Sequence, residues 1–139
     1  MLFRSVHLST TGGASAWESW DGETLYYTRH DGLREGDRMP PLYARPLKGG
    51  PEQEVLPAVW QWDFFPVKKG IYYIVQNPPR TVLFELRLFE FGTGASSVVA
   101  TFRASNGQGL TATADGSVIL YSRRPEEFDS DLILVQNFR

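Results

Sequence analysis

One phrase occurs three times in this chain: a turn carrying glycine, then an apolar-aromatic strand that ends in tyrosine. The copies are Trp20-Asp21-Gly22-Glu23-Thr24-Leu25-Tyr26-Tyr27, Lys68-Lys69-Gly70-Ile71-Tyr72-Tyr73 and Ala114-Asp115-Gly116-Ser117-Val118-Ile119-Leu120-Tyr121. Gly22, Gly70 and Gly116 are spaced by 48 and 46 residues; Tyr27, Tyr73 and Tyr121 by 46 and 48. A period of roughly 40 to 50 residues in strand-forming sequence is that of β-propeller blades. The spacing therefore predicts an all-β fold of three antiparallel, four-stranded propeller blades.

Each copy extends to a whole blade. In the first, strands are expected over 14–19, 24–28, 42–47 and 52–56. In the second they are expected over 61–66, 71–75, 84–91 and 97–102. In the third they are expected over 110–114, 118–122 and 131–135, with no fourth. The blade repeats thus run over about 14–56, 60–102 and 107–138, as one propeller segment covering 1–139. Residues 1–8, followed by Thr10-Thr11-Gly12-Gly13, have the form of a fourth strand. They are expected to complete the last blade, or that of a second copy.

Three blades do not close a ring, since propellers have about four to eight. Two arrangements follow. The chain is part of a larger propeller, or it is half of a six-bladed ring made by a homodimer with two-fold symmetry. Pairing both ends of the array also protects edge strands that would otherwise recruit other chains.

Composition narrows the function classes. The net charge is -2 with acids and bases interspersed, which argues against direct nucleic-acid binding because phosphates demand a basic face. The adjacent basic pairs Lys68-Lys69 and Arg123-Arg124 read as solvated turn residues. With no cysteine, thiolate chemistry and cysteine-based zinc sites are excluded. No apolar run approaches the ~18 residues of a membrane span, so no membrane partner is expected. Met1-Leu2-Phe3-Arg4-Ser5 does not have the form of a signal peptide.

Chemistry-bearing residues were weighed against packing and turn roles. Asp21 and Asp115 precede glycine, as in tight turns where Asp bonds its own backbone and Gly takes positive φ. His7 and His30 have no nucleophile or second ligand at a recognisable spacing, and no Gly-x-Ser-x-Gly elbow exists. Glu126, Glu127, Asp129 and Asp131 are the densest acidic cluster but lack a calcium-loop pattern. Neither a metal nor another cofactor is expected. Trp60, Trp62 and Phe64 alternate on one face of a first strand, and first strands line a propeller's channel. Trp60, Trp62 and Trp17 are the candidate ligand-binding residues, able to stack on a sugar or peptide; the alternative is that these rings fill the space between blades. The loops 29–41, 76–83 and 123–130 fall on one face and carry prolines, which lower the entropic cost of ordering a loop. They are a second candidate binding face.

The Ser-x-Asp-Gly-x-x-Leu-Tyr-Tyr form at Ser19 to Tyr27, the run Asp115 to Ser122, and Leu42-Tyr43-Ala44-Arg45-Pro46-Leu47 before Gly49-Gly50 resemble a known repeat. It is the Trp-Asp-repeat-like propeller repeat of TolB-type proteins and of many bacterial multidomain regulators. The run Asp129 to Arg139 looks like the C-terminal end of such regulators. In them the propeller commonly follows a winged-helix DNA-binding domain or a protein kinase domain. The middle copy departs from the pattern, with Lys68-Lys69-Gly70 in place of Asp-Gly and a tighter turn expected. The resemblance implies a non-catalytic module that binds a protein or small ligand, in the sensory or scaffolding part of a cytoplasmic regulator. Two alternatives stand beside it: a hydrolase or lyase with paired carboxylates in the channel, and a periplasmic interaction protein of the TolB type.

Overall fold

The fold is taken from a computed structural model, which describes residues 8, 12–29, 33, 38–60, 63–104, 109–124 and 131–136. Every regular element among them is a strand. Four strands, β1 (Ser15–Glu18), β2 (Thr24–Thr28), β3 (Leu42–Pro46) and β4 (Gln53–Leu56), form one antiparallel sheet in chain order. A second sheet contains β5 (Phe64–Val67), β6 (Gly70–Gln76), β7 (Leu83–Glu90) and β8 (Ser96–Arg103), again in chain order. The third has β9 (Leu110–Ala112), β10 (Val118–Arg123) and β11 (Asp131–Gln136). Its expected fourth strand, residues 1–8, lies outside the described residues apart from Leu8.

The sheets stack in chain order, and the innermost strands are neighbours: β1 lies beside β5, and β5 beside β9. That is the arrangement of propeller blades around an axis. Because strand residues alternate faces, each sheet has a front face toward the preceding sheet and a back face toward the following one. The back face of the first sheet (Tyr26, Leu42) meets the front of the second (Phe64, Ile71, Tyr73) in one apolar cluster. The back of the second (Tyr72, Ile74, Phe84, Leu86, Phe102) meets the front of the third (Leu110, Ile119, Tyr121) in another. The repeated phrase thus places an aliphatic residue and a tyrosine on the front of every second strand: Leu25 and Tyr27, Ile71 and Tyr73, Ile119 and Tyr121.

The turns explain the repeat in its first and last copies. Ser19 Oγ donates to Asp21 Oδ1 at 2.6 Å, the Glu23 amide donates to the same oxygen at 3.1 Å, and the Thr24 amide donates to Ser19 Oγ at 2.9 Å. Thr113, Asp115, Ser117 and Val118 reproduce that set at 2.6, 3.0 and 3.2 Å. Gly22 and Gly116 hold φ of 72° and 73°, the left-handed region that side chains disfavour. These bonds pull both carboxyls below the ordinary range, Asp115 to about 2, chiefly through the neighbouring hydroxyl.

The middle copy has a different cause. Gly70 is the first residue of β6, pairs with Val67 across a two-residue turn, and is not at positive φ. A Cβ there would lie 2.0 Å from the Phe89 carbonyl oxygen. This glycine lets two backbones approach, whereas its counterparts make a turn.

One expected strand is corrected. β5 starts at Phe64, not at residue 61. The Asp63 amide donates to the Trp60 carbonyl at 2.8 Å and the Trp60 amide to the Ile74 carbonyl at 2.6 Å. Asp63 is thus bonded back to Trp60 and lies outside the strand. Trp60 and Phe64 consequently do not share a strand face, and they join opposite apolar clusters.

Candidate functional site

Of the three tryptophans singled out from the sequence, Trp60 and Trp17 take different places in the fold. Trp60 is 5% exposed, with its ring edge-on to Phe84 at 4.9 Å and the Arg38 guanidinium 6.0 Å from its centre. It packs between the second and third sheets, and its buried indole N–H has no hydrogen-bond partner among the described residues. Trp62 lies outside the described residues. Trp17, on β1, is 42% exposed and meets the Phe65 ring edge-on at 4.9 Å.

A surface assembles around Trp17. The β1–β2 turn presents Trp20, 55% exposed, with Lys68 Nζ 4.7 Å above its ring. Lys68 comes from the β5–β6 turn, whose position is set by its own amide donating to the Ala114 carbonyl at 2.8 Å. Trp17 and Trp20 from the first sheet and Phe65 and Lys68 from the second thus converge at the inner strands. Trp17 is a candidate from the sequence, whereas Lys68 reads there as a solvated turn residue. The pairing of Lys68 with a ring 48 positions earlier depends on how adjacent sheets stand together, which leaves no local signal. This surface offers flat apolar rings and a cation, suited to stacking and to cation–π contact.

One acid beside β5 is buried. Asp63 is 3% exposed, and its Oδ1 accepts from the Gly109 amide at 2.8 Å while Oδ2 has no partner among the described residues. Burial pushes its carboxyl up to about 6, against the lowering effect of the Gly109 bond. The residue ties the second sheet to the chain leading into the third. Among the strands nearest the axis, β1, β5 and β9, the one carboxylate is Glu18. Among the described residues no three His, Cys, Asp or Glu side chains converge to hold a metal ion. His7, His30, Glu126, Glu127 and Asp129 fall outside those residues.

A separate cleft opens at the rim between the first and second sheets. Tyr26, Ala44, Val55, Pro46, Gln53 and Phe91 line a space of about 330 Å³. Tyr26 and Phe91 stack across it with ring centres 6.1 Å apart. On the loop side, the Gln76 amide donates to the Met39 sulfur at 3.4 Å and brings two inter-strand loops together. Of the loops nominated as a binding face, residues 76–83 lie within the described set, whereas 30–32, 34–37 and 125–130 lie outside it. No described helix is long and apolar enough to cross a membrane.

No protein-family profile matches the chain, and no curated protein matches it in sequence. Solved structures do. The chain is similar to TolB from Acinetobacter baumannii, with a TM-score of 0.65 and 18% identity, over 91% of this chain and 30% of that one. It is also similar to a structure described as part of an analysis of two prolyl endopeptidases, with a TM-score of 0.52 and 17% identity, over 89% of this chain and 22% of the other. The chain therefore spans less than a third of the length of either protein. At these identities the likeness concerns architecture: the three stacked sheets are a TolB-like β-propeller arrangement.

Proposed function

We propose that this chain is a non-catalytic propeller module that binds a protein segment or small ligand at the aromatic surface of its inner strands. The observation that carries this reading is the exposure of Trp17 and Trp20 beside Phe65 and Lys68. Clustered solvent-facing aromatic rings beside the inner strands mark a surface that something covers. The scarcity of carboxylates on the described inner strands supports binding over a paired-acid hydrolase or lyase, which needs two carboxyls about 5 to 9 Å apart.

The wider context rests on the sequence resemblance. In this reading the module is the sensory or scaffolding part of a bacterial regulator in the cytoplasm, with no nucleic acid or cofactor of its own. A TolB-type interaction role would place it in the periplasm instead. Sequencing the gene's surroundings for an upstream winged-helix, kinase or signal segment distinguishes the two.

The binding surface is tested with the purified chain on arrays of extended peptides and of oligosaccharides. A ligand retained by the native chain and weakened at least tenfold by Trp17→Ala with Trp20→Ala supports the reading. Equal retention by the variant, or hydrolysis of an arrayed substrate, overturns it.

A further inference from the structure

One tyrosine of the repeated phrase meets different surroundings in the two seams. Tyr72, on the back of the second sheet, donates its hydroxyl to the Gly116 carbonyl in the glycine turn of the third sheet, at 3.0 Å. Tyr26 holds the same position on the first sheet. Its counterpart acceptor would be the glycine turn of the second sheet, but that turn is the tight one. Gly70 lies inside the ladder, opposite Val67 and Glu90, and no turn carbonyl is offered there. The Tyr26 side chain is 9% exposed, yet its hydroxyl has no hydrogen-bond partner among the described residues. Where the second seam closes on that bond, the first seam opens the rim cleft of about 330 Å³ that Tyr26 borders.

The walls of the cleft restrict what enters it. No bordering residue is charged, and Pro46, Pro51, Val55 and Phe91 supply most of the surface. A charged ligand would lose its hydration there and meet no opposite charge. The Phe91 ring lies 13° from parallel to that of Tyr26 and is 42% exposed, so it still offers apolar surface to a flat group. Gln53 stands exposed at the edge with its amide unpartnered among the described residues. The cleft therefore suits an uncharged, compact apolar ring that carries a carbonyl, and a backbone carbonyl is what satisfies the equivalent tyrosine in the second seam.

We propose that this cleft binds a proline of an extended segment of a partner protein. The Tyr26 hydroxyl donates to a backbone carbonyl of the segment, the pyrrolidine ring lies against Phe91, and Gln53 donates to a second carbonyl. Proline fits where other residues do not, because it brings an acceptor and no N–H that apolar walls would leave unpaired. A polyproline II segment also carries its carbonyls unbonded and has little conformational freedom to lose, which is why aromatic-lined grooves take such segments. The proposal does not rest on the Trp17 surface, since it needs only Tyr26, Phe91 and Gln53.

The probe is an acetylated and amidated peptide of alternating alanine and proline, titrated into the chain while the Tyr26 and Phe91 ring signals are followed by nuclear magnetic resonance. Saturable shifts at both rings are expected; their absence overturns the proposal. The same peptide with glycine in place of each proline is expected to bind at least tenfold more weakly, and equal binding overturns it. Tyr26→Phe keeps the ring and removes a hydroxyl that has no partner in the chain, so the fold is not at stake. It is expected to weaken binding about fivefold, the effect of one hydrogen bond. Tyr72→Phe removes the same group from the second seam and is expected to leave the affinity unchanged; equal losses in the two variants overturn the proposal. Shifts confined to the Trp17 and Trp20 rings would place the peptide on the inner-strand surface, overturning the cleft while leaving the proposed function standing.

Discussion

The two seams of the stack are built differently. Between the second and third sheets, the rings of Trp60, Phe84, Phe102 and Tyr121 run in sequence, each within 4.9 to 5.8 Å of the next. Three hydrogen bonds cross the same seam: Gly109 amide to Asp63 Oδ1, Lys68 amide to the Ala114 carbonyl, and Tyr72 hydroxyl to the Gly116 carbonyl at 3.0 Å. The seam between the first and second sheets has a smaller buried cluster. Its aromatic contacts, Trp17 with Phe65 and Tyr26 with Phe91, involve exposed or rim residues, and a cleft of about 330 Å³ remains open at its edge. Those three bonds hold one seam in register, while the other combines apolar contact with the Gln76–Met39 bond and the Lys68–Trp20 contact and leaves room. A stack needing both cohesion and an accessible surface gains from that division, and the proposed ligand surface lies along the looser seam.

The largest test of the difference is Phe84→Ala. Removing a ring that touches both Trp60 and Phe102 should lower unfolding free energy by about 3–5 kcal/mol, measured by chemical denaturation. Phe91→Ala, at the rim of the first seam, should cost no more than about 1 kcal/mol because the ring is already 42% exposed. Similar losses at both would erase the distinction.

Acidity probes the firmer seam next. The folded carboxyl of Asp63 titrates at about 6 against an ordinary value of 3.8. Folding therefore favours the protonated form. Its contribution is fully present below pH 3.8, declines as pH rises through 6, and then stays constant. The difference in stability between the native chain and Asp63→Asn should change by roughly 2–3 kcal/mol over that window, with the native chain losing ground as pH rises. A difference that stays flat between pH 4 and 7 would show that the carboxyl is hydrated.

The turn glycines sharpen the comparison. Gly22 and Gly116 have the same φ, so alanine strains both backbones by about 1–2 kcal/mol. A Cβ on Gly116 would additionally lie 3.2 Å from the Tyr72 ring in the second seam, whereas on Gly22 it would meet only the end of the Glu18 side chain at 3.5 Å. Gly116→Ala should therefore lower the thermal midpoint more than Gly22→Ala. The smallest effect is expected from Tyr72→Phe, which removes one inter-sheet hydrogen bond, worth about 1 kcal/mol, and keeps the ring. Burial raises that phenol to about 12, so its bond to Gly116 should persist to pH 10. Loss of the Tyr72 contribution near neutral pH would contradict this.

The placement of the tryptophans was only partly legible in the sequence. Trp17 falls on a first strand, as the repeat suggested. The placement of Trp60 was not legible: it precedes β5 and packs between the second and third sheets, while Phe64 packs in the other seam. Lys68 and Asp63 were missed for one reason. Each acquires its character from a group far along the chain, the Trp20 ring for Lys68 and the Gly109 amide for Asp63. The glycines looked alike as letters, yet Gly22 and Gly116 answer to φ and Gly70 to the Phe89 carbonyl.

What the sequence determined by itself was local and periodic. Alternation placed one aliphatic residue and one tyrosine on the same side of every second strand, and hydroxyl-x-Asp-Gly dictated two turns through bonds spanning no more than five residues. Such contacts form whatever the rest of the chain does. The tertiary structure alone decided which faces became seams, which acid was buried, and which tryptophans stayed exposed. Those outcomes depend on the distance and tilt between sheets, set by the summed packing of side chains more than forty residues apart, and no short stretch of sequence contains that sum.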